Sequence, residues 1–167
     1  MTEYLIELVK NLPPEIATLI LAMIPITELR ASIPIALTVF DLGIPAAFFW
    51  SVLGDFIPTF FILWLIGPIS AYLMRKSKLM NKFFQWIFDR TRRKTLQKYE
   101  TYGEIALMMF VAIPLPFTGA WTGALAAFLF GIPKKKSLFF ITLGILIAGI
   151  LVTILSLGGI GIFNNIF

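Results

Sequence analysis

Three ionisable side chains stand where an apolar chain has no cheap place for them. Glu28 and Arg30 sit near the middle of the apolar stretch 15–40, and Asp55 sits inside the apolar stretch 44–74. A charge at membrane depth costs at least ~2.5 kcal/mol, so such groups face protein or water and mark a pathway. Glu28 can accept a proton, and Arg30 can hold an anionic group such as a phosphate through its planar fork. Asp55 lies eleven residues past Ile44, or ~16 Å along a helix, near a bilayer midplane. It reads as a second proton site or a counterion for Arg30. The plainer alternatives are a Glu28–Arg30 pair that only braces a turn, and an Asp55 that accompanies a kink beside Gly54 and Pro58.

A second polar set carries no charge. The run Pro114-Leu115-Pro116-Phe117-Thr118-Gly119-Ala120-Trp121-Thr122-Gly123 offers backbone amides at a half-helix N-terminus, the hydroxyls of Thr118 and Thr122, and the Trp121 ring. Helix N-termini attract anions. Close helix packing through Gly119, Gly123 and Ala124 explains the same residues equally well. The chain has no Cys and no His, which excludes disulfides, thiolate or imidazole metal sites and His-based proton relays. No nucleophile–base pair, metal-ligand cluster or Walker-type glycine loop is visible. An enzyme is not expected, and neither is a cofactor or a metal.

The elements that must position these residues follow from composition. The chain is 59% hydrophobic and 14% charged, with mean hydropathy +0.91, more apolar surface than a soluble domain of 167 residues can hide. We expect an all-α integral membrane protein forming a single membrane domain, 1–167. The net charge of +5 does not point to nucleic acid. Twelve of the fourteen basic residues fall at 75–98 and 134–136, the clustering expected of cytoplasmic loops. Glu3 and Glu7 stand where a signal peptide would be basic, so the membrane segments are expected to direct insertion.

Residues 2–11 have the spacing of a short interfacial helix. Stretch 15–40 is interrupted by Pro25, by 27–30 and by Pro34. Its arms are about half a bilayer core long, so two half-helices joined by a turn are expected. Segment 44–74 spans the membrane and ends at Arg75-Lys76. Segment 79–100 is amphipathic and reads as an interfacial helix, with Arg90, Arg92, Arg93 and Lys94 near lipid headgroups. Those four also serve simple positive-inside orientation. Lys94 and Lys98 precede stretch 103–131 and Lys134–136 follow it. If both ends are cytoplasmic, the stretch must enter, turn near Pro114, Pro116 and Gly119, and return. Segment 137–163 is the last span. Four plain spanning helices are the competing topology.

The two broken stretches also resemble each other. Ala36, Leu37, Phe40, Gly43, Ile44 and Pro45 recur as Ala124, Leu125, Phe128, Gly131, Ile132 and Pro133, each 88 positions later. The first copy is flanked by Glu15 and Asp41, the second by Lys98 and Lys134–136. Opposite flanking charge suggests an inverted repeat, 1–78 and 79–167, each an interfacial helix, a re-entrant helical hairpin and a transmembrane helix.

Glu28-Leu29-Arg30-Ala31-Ser32-Ile33-Pro34 and Ile113-Pro114-Leu115-Pro116-Phe117-Thr118-Gly119-Ala120-Trp121-Thr122-Gly123-Ala124-Leu125 resemble the two signature blocks of the small multidrug export protein family. That prokaryotic family is regarded as a relative of the DedA (VTT-domain) superfamily. The resemblance implies opposed re-entrant hairpins in a prokaryotic plasma (inner) membrane. It also implies proton-linked transport or lipid translocation, including polyprenyl-phosphate carriers. Glu28 and Asp55 resemble the acids assigned to DedA function. The second block departs from the DedA pattern, which has arginines after the corresponding proline; Leu115–Thr122 has none. The leading expectation is a small proton-coupled transporter with Glu28, Arg30, Asp55, Thr118, Trp121 and Thr122 at a midplane site. A lipid scramblase or flippase is the alternative, and a non-transporting scaffold is the third. Membrane lipids, protons and a second copy of the chain are the expected partners.

Overall fold

The computed structural model describes residues 2–79, 81, 82, 85, 100–115 and 118–166. Arg90, Arg92, Arg93, Lys94, Lys98 and Pro116 lie outside the described residues. The described chain is entirely helical, with no strand: α1 Thr2–Val9, α2 Pro14–Met23, α3 Glu28–Thr38, α4 Ile44–Lys76, α5 Glu100–Ala112, α6 Ala120–Leu129 and α7 Lys134–Ile166. Two of these, α4 and α7, are long and apolar enough to cross a membrane. Each has 33 residues, or ~50 Å of helix, against a hydrocarbon core of ~30 Å. The other four after α1 are half that length or less.

Both apolar stretches are broken where proline dictates. A residue that precedes proline is pushed out of the α region. Ile24, before Pro25, is extended (φ −83°, ψ 131°) and ends α2. Ala112 ends α5 just before Ile113-Pro114. Neither stretch is one continuous helix. The freed groups at the first break are satisfied locally: the Thr27 hydroxyl donates to the Leu21 carbonyl, and the amides of Thr27 and Glu28 donate to the Ile24 carbonyl at 3.2 and 2.9 Å.

Pro34 corrects the expectation that it shapes the turn. It lies inside α3. Its missing N–H interrupts one hydrogen bond without ending the helix, a defect that membrane helices tolerate. Pro58 and Pro68 likewise lie inside α4. The last long helix also begins earlier than expected, at Lys134, directly after Pro133.

Packing fixes the directions of the helices. A methyl added to Gly149 of α7 would meet Phe48 and Val52 of α4, while Gly67 of α4 lies beside the Lys134 ammonium. The two contacts move in opposite directions along the two chains, so α4 and α7 are antiparallel. Glu104 at the start of α5 and Lys136 at the start of α7 form an ion pair at 2.8 Å. The segment between them therefore begins and ends at one place. At the other end, Ile6 and Val9 of α1 share an apolar cluster with Ala17, Leu21, Ile35 and Phe40. The chain leaving α3 thus comes back to where it entered α2.

Small residues let the short helices lie close on the long ones. A methyl on Gly54 would meet the Leu19 carbonyl oxygen at 2.5 Å and the Ala22 Cβ at 2.6 Å, so α2 crosses α4 there. A methyl on Gly144 would meet the Met108 carbonyl oxygen and the Val111 Cβ at 2.8 Å, so α5 crosses α7 there. The main core joins both halves, with Leu29 and Ile33 of α3 packed among Leu63, Ala124, Ile141 and Ile145.

Candidate functional site

The two breaks meet. Glu28 opens α3 in a left-handed conformation, φ 44°, which a non-glycine residue adopts only when its surroundings impose it. That conformation directs its carboxylate onto the start of α6. There it accepts a hydrogen bond from the Trp121 amide and lies over Gly119, where an added methyl would overlap it. The first-turn amides of a helix have no partner of their own and carry its positive end. Glu28 therefore caps a helix that belongs to the other half of the chain. Only 6% of Glu28 is exposed.

Arg30 makes the reciprocal connection. One guanidinium nitrogen donates to the Leu115 carbonyl and the other to the Thr118 hydroxyl at 3.2 Å. The same guanidinium stands 3.7 Å from the Glu28 carboxylate. The Thr118 hydroxyl in turn shares its single proton between the carbonyls of Ile113 and Leu115, at 2.9 and 2.8 Å. It closes the second break much as Thr27 closes the first.

Asp55 is 1% exposed and caps the other half-helix by accepting the Leu29 amide at the start of α3. Its Oδ1 has no hydrogen-bond partner among the described residues. Asp55 is not the counterion of Arg30; Glu28 is. One turn away, the buried Ser32 hydroxyl of α3 donates to Ser51 of α4 at 2.8 Å. Thr59, the next turn on, donates to the Asp55 carbonyl at 2.8 Å.

Five of the six expected transport residues thus gather at one junction: Glu28, Arg30, Asp55, Thr118 and, through its amide, Trp121. The Trp121 indole N–H is buried without a partner among the described residues. Thr122 does not join them; its hydroxyl donates to the Gly119 carbonyl of its own helix at 3.2 Å. Pro25 and Pro114 lie in the breaks. Gly119 serves the junction, whereas Gly123 serves packing, against Val111. The Leu115 carbonyl and the Ser32–Ser51 pair escaped sequence reasoning. A backbone carbonyl has no signature in a sequence, but the i, i+4 run Ser51, Asp55, Thr59 was a readable polar stripe.

Beside the junction lies an open depression of about 320 Å³, lined by Arg30, Pro114, Val152, Leu155 and Ser156. Leu155 is 66% exposed. Because Val52 faces Gly149 across the antiparallel pair, these α7 residues stand level with the first turn of α4. The depression therefore lies toward the end of the molecule where α4 begins, away from Lys134. The junction holds two carboxylates and one guanidinium among apolar helices. It can hold a proton or cation against the acids, or an anion against Arg30.

Residues 28–151 match the profile of a family described as "Putative small multi-drug export protein". The match begins at Glu28 itself and covers well over half of the chain. The chain belongs to that family. No curated protein and no solved structure matches it. The family's description and the two long apolar helices make this a membrane protein of the small multidrug export type. The matched segment begins just after the first break and contains the second break and the junction's side chains Glu28, Arg30, Asp55 and Thr118.

Proposed function

We propose that the protein is a proton-coupled transporter whose substrate crosses at the junction of two hairpins re-entering the membrane from opposite faces. One observation carries the reading: Arg30 of the first broken segment reaches the Leu115 carbonyl and the Thr118 hydroxyl of the second. Two half-helix tips joined by charged side chains are the arrangement in which transporters build a midplane site. The Glu104–Lys136 pair supports a second hairpin that returns to the face it left. The antiparallel α4 and α7 support opposite orientation of the two repeats, 1–78 and 79–167.

In this reading the basic segments 75–98 and 134–136 face the cytoplasm of a prokaryotic cell by the positive-inside rule. The protein is not an enzyme, and its partners are protons and membrane lipids. A second copy would shield the short helices from lipid. Protonation at the junction removes charge from between the tips and biases which face the site opens to.

The test uses protein reconstituted in liposomes with ethidium, a lipophilic cation, as the probe. An imposed pH gradient is expected to drive ethidium across, and Glu28→Gln or Asp55→Asn to abolish that flux in protein that still folds. Equal ethidium movement with and without the gradient would refute proton coupling.

Lipid scrambling is the second reading, favoured by the depression. Arg30 stands there beside the exposed Leu155, so a headgroup phosphate could meet the guanidinium while its chains stay in lipid. A fluorescent anionic phospholipid that equilibrates between leaflets with no gradient applied would select this reading over the first.

A further inference from the structure

We infer that the junction's two acids have separate tasks: Asp55 takes up and releases the exchangeable proton, and Glu28 is a fixed anion. The assignment rests on proton coupling for its role in transport, but not for its chemistry.

The argument is one of partners. The Glu28 carboxylate is held by the Trp121 amide at the positive end of α6, by Arg30 at 3.7 Å, and by the bare backbone of Gly119 beneath it. A carboxylate so placed is stabilised in its charged form by a cation and a helix end together. Adding a proton there would weaken both contacts and leave Arg30 without its counterion. Asp55 has one donor, the Leu29 amide, and its second oxygen has none among the described residues. An ionised carboxylate with an orphaned oxygen in an apolar interior is the costlier of the two to keep charged.

The surroundings agree. The charged groups facing Asp55 are Glu28 and Arg30, both from α3. They neutralise each other at 3.7 Å, which leaves Asp55 as the uncompensated charge of the cluster. Among the described residues, α2, α6 and α7 bring no ionisable group to this level. Of the nearby hydroxyls, Ser32 donates to Ser51 and Thr59 to the Asp55 carbonyl, and neither donates to the Asp55 carboxyl.

The division also explains how proton exchange can be coupled to movement. Asp55 is 1% exposed, behind the tip where Glu28 and Arg30 clasp the second break. A proton reaches it only when that clasp loosens, and the clasp joins the two halves of the chain. Glu28 and Arg30 are positioning residues in this scheme, and Asp55 is the carrier.

Infrared spectroscopy of the reconstituted full chain tests the assignment without any transported substrate. The chain has three aspartates, Asp41, Asp55 and Asp89, so Asp41→Asn/Asp89→Asn leaves Asp55 alone. At pH 7, where exposed carboxyls are ionised, a protonated-carboxyl C=O band is expected. It should shift on 13C labelling of aspartate, stay put on labelling of glutamate, and survive in Glu28→Gln. A band that shifts with glutamate label, or the absence of any such band, would overturn the assignment. Because labelling reads the native side chains, the result does not depend on Asp55→Asn folding. Gradient-independent ethidium flux alongside the aspartate band would sink the transport reading and leave the assignment standing.

Discussion

Gly119 has no side chain because a carboxylate occupies the space. Gly119→Ala would drive its methyl into Glu28, whereas Gly103→Ala meets nothing within 4 Å among the described residues. The first should cost roughly 1–3 kcal/mol, as overpacking does. The second should be neutral or gain up to about 1 kcal/mol from helix propensity. Thermal unfolding in detergent, followed by tryptophan emission, compares them. The Ser32–Ser51 bond admits a similar measurement. Each single alanine variant should lose about 1 kcal/mol, and the double variant less than the sum, because the two side chains share one interaction. At this scale the sequence was a good guide to the charged groups, since Glu28, Arg30 and Asp55 stand out against an apolar background. It was silent on what they touch. The Trp121 amide, the Leu115 carbonyl and the Leu29 amide are backbone atoms whose availability depends on where helices stop.

Prolines decide where helices stop, though not all of them do. Pro25 and Pro114 end helices, while Pro34, Pro58 and Pro68 are carried inside them. The difference lies in the company they keep. Pro25 is followed within three residues by Thr27 and Glu28, and Pro114 within five by Thr118 and Gly119; these satisfy or free the backbone at a break. Pro34 sits among apolar residues that bury the α3 face, with Ile33 and Ile35 both in the core, so packing holds the helix together across it. The half-length helices were thus legible from residue pattern, but Pro34 was not, because only its tertiary neighbours distinguish it from Pro25. Gly54 and Gly144 carry the crossings of short helices over long ones. Gly54→Leu and Gly144→Leu should each destabilise the fold by about 3 kcal/mol or more. Gly158→Leu, with nothing within 4 Å among the described residues, should leave it unchanged within roughly 0.5 kcal/mol. Unfolding of the three variants in matched detergent checks the contrast.

For the whole molecule, one contact bears on the proposed repeat. Arg30 and Thr118 are 88 positions apart, the same interval that relates Ala36 to Ala124 and Pro45 to Pro133. Corresponding residues of two halves related by a two-fold axis can touch only where that axis passes. If the proposed repeats are related by such an axis, the Arg30–Thr118 bond lies on it. The Cys-free chain makes sidedness directly measurable. Gly103→Cys and Lys135→Cys should react with a membrane-impermeant thiol reagent from the same face of the bilayer, and Leu42→Cys from the opposite one. Labelling of positions 103 and 135 from different faces would replace the hairpin with a crossing helix.

The contacts of Gly149 with Val52 and of Gly67 with Lys134 have a mechanical result. They bring α4 and α7 together at two points fifteen residues apart, ~22 Å of helix, so the two rods lie side by side as one partition. In the proposed transporter, movement would then fall to the stubby helices wedged against that partition, and its extent to how far Arg30 can stretch before it releases the second break.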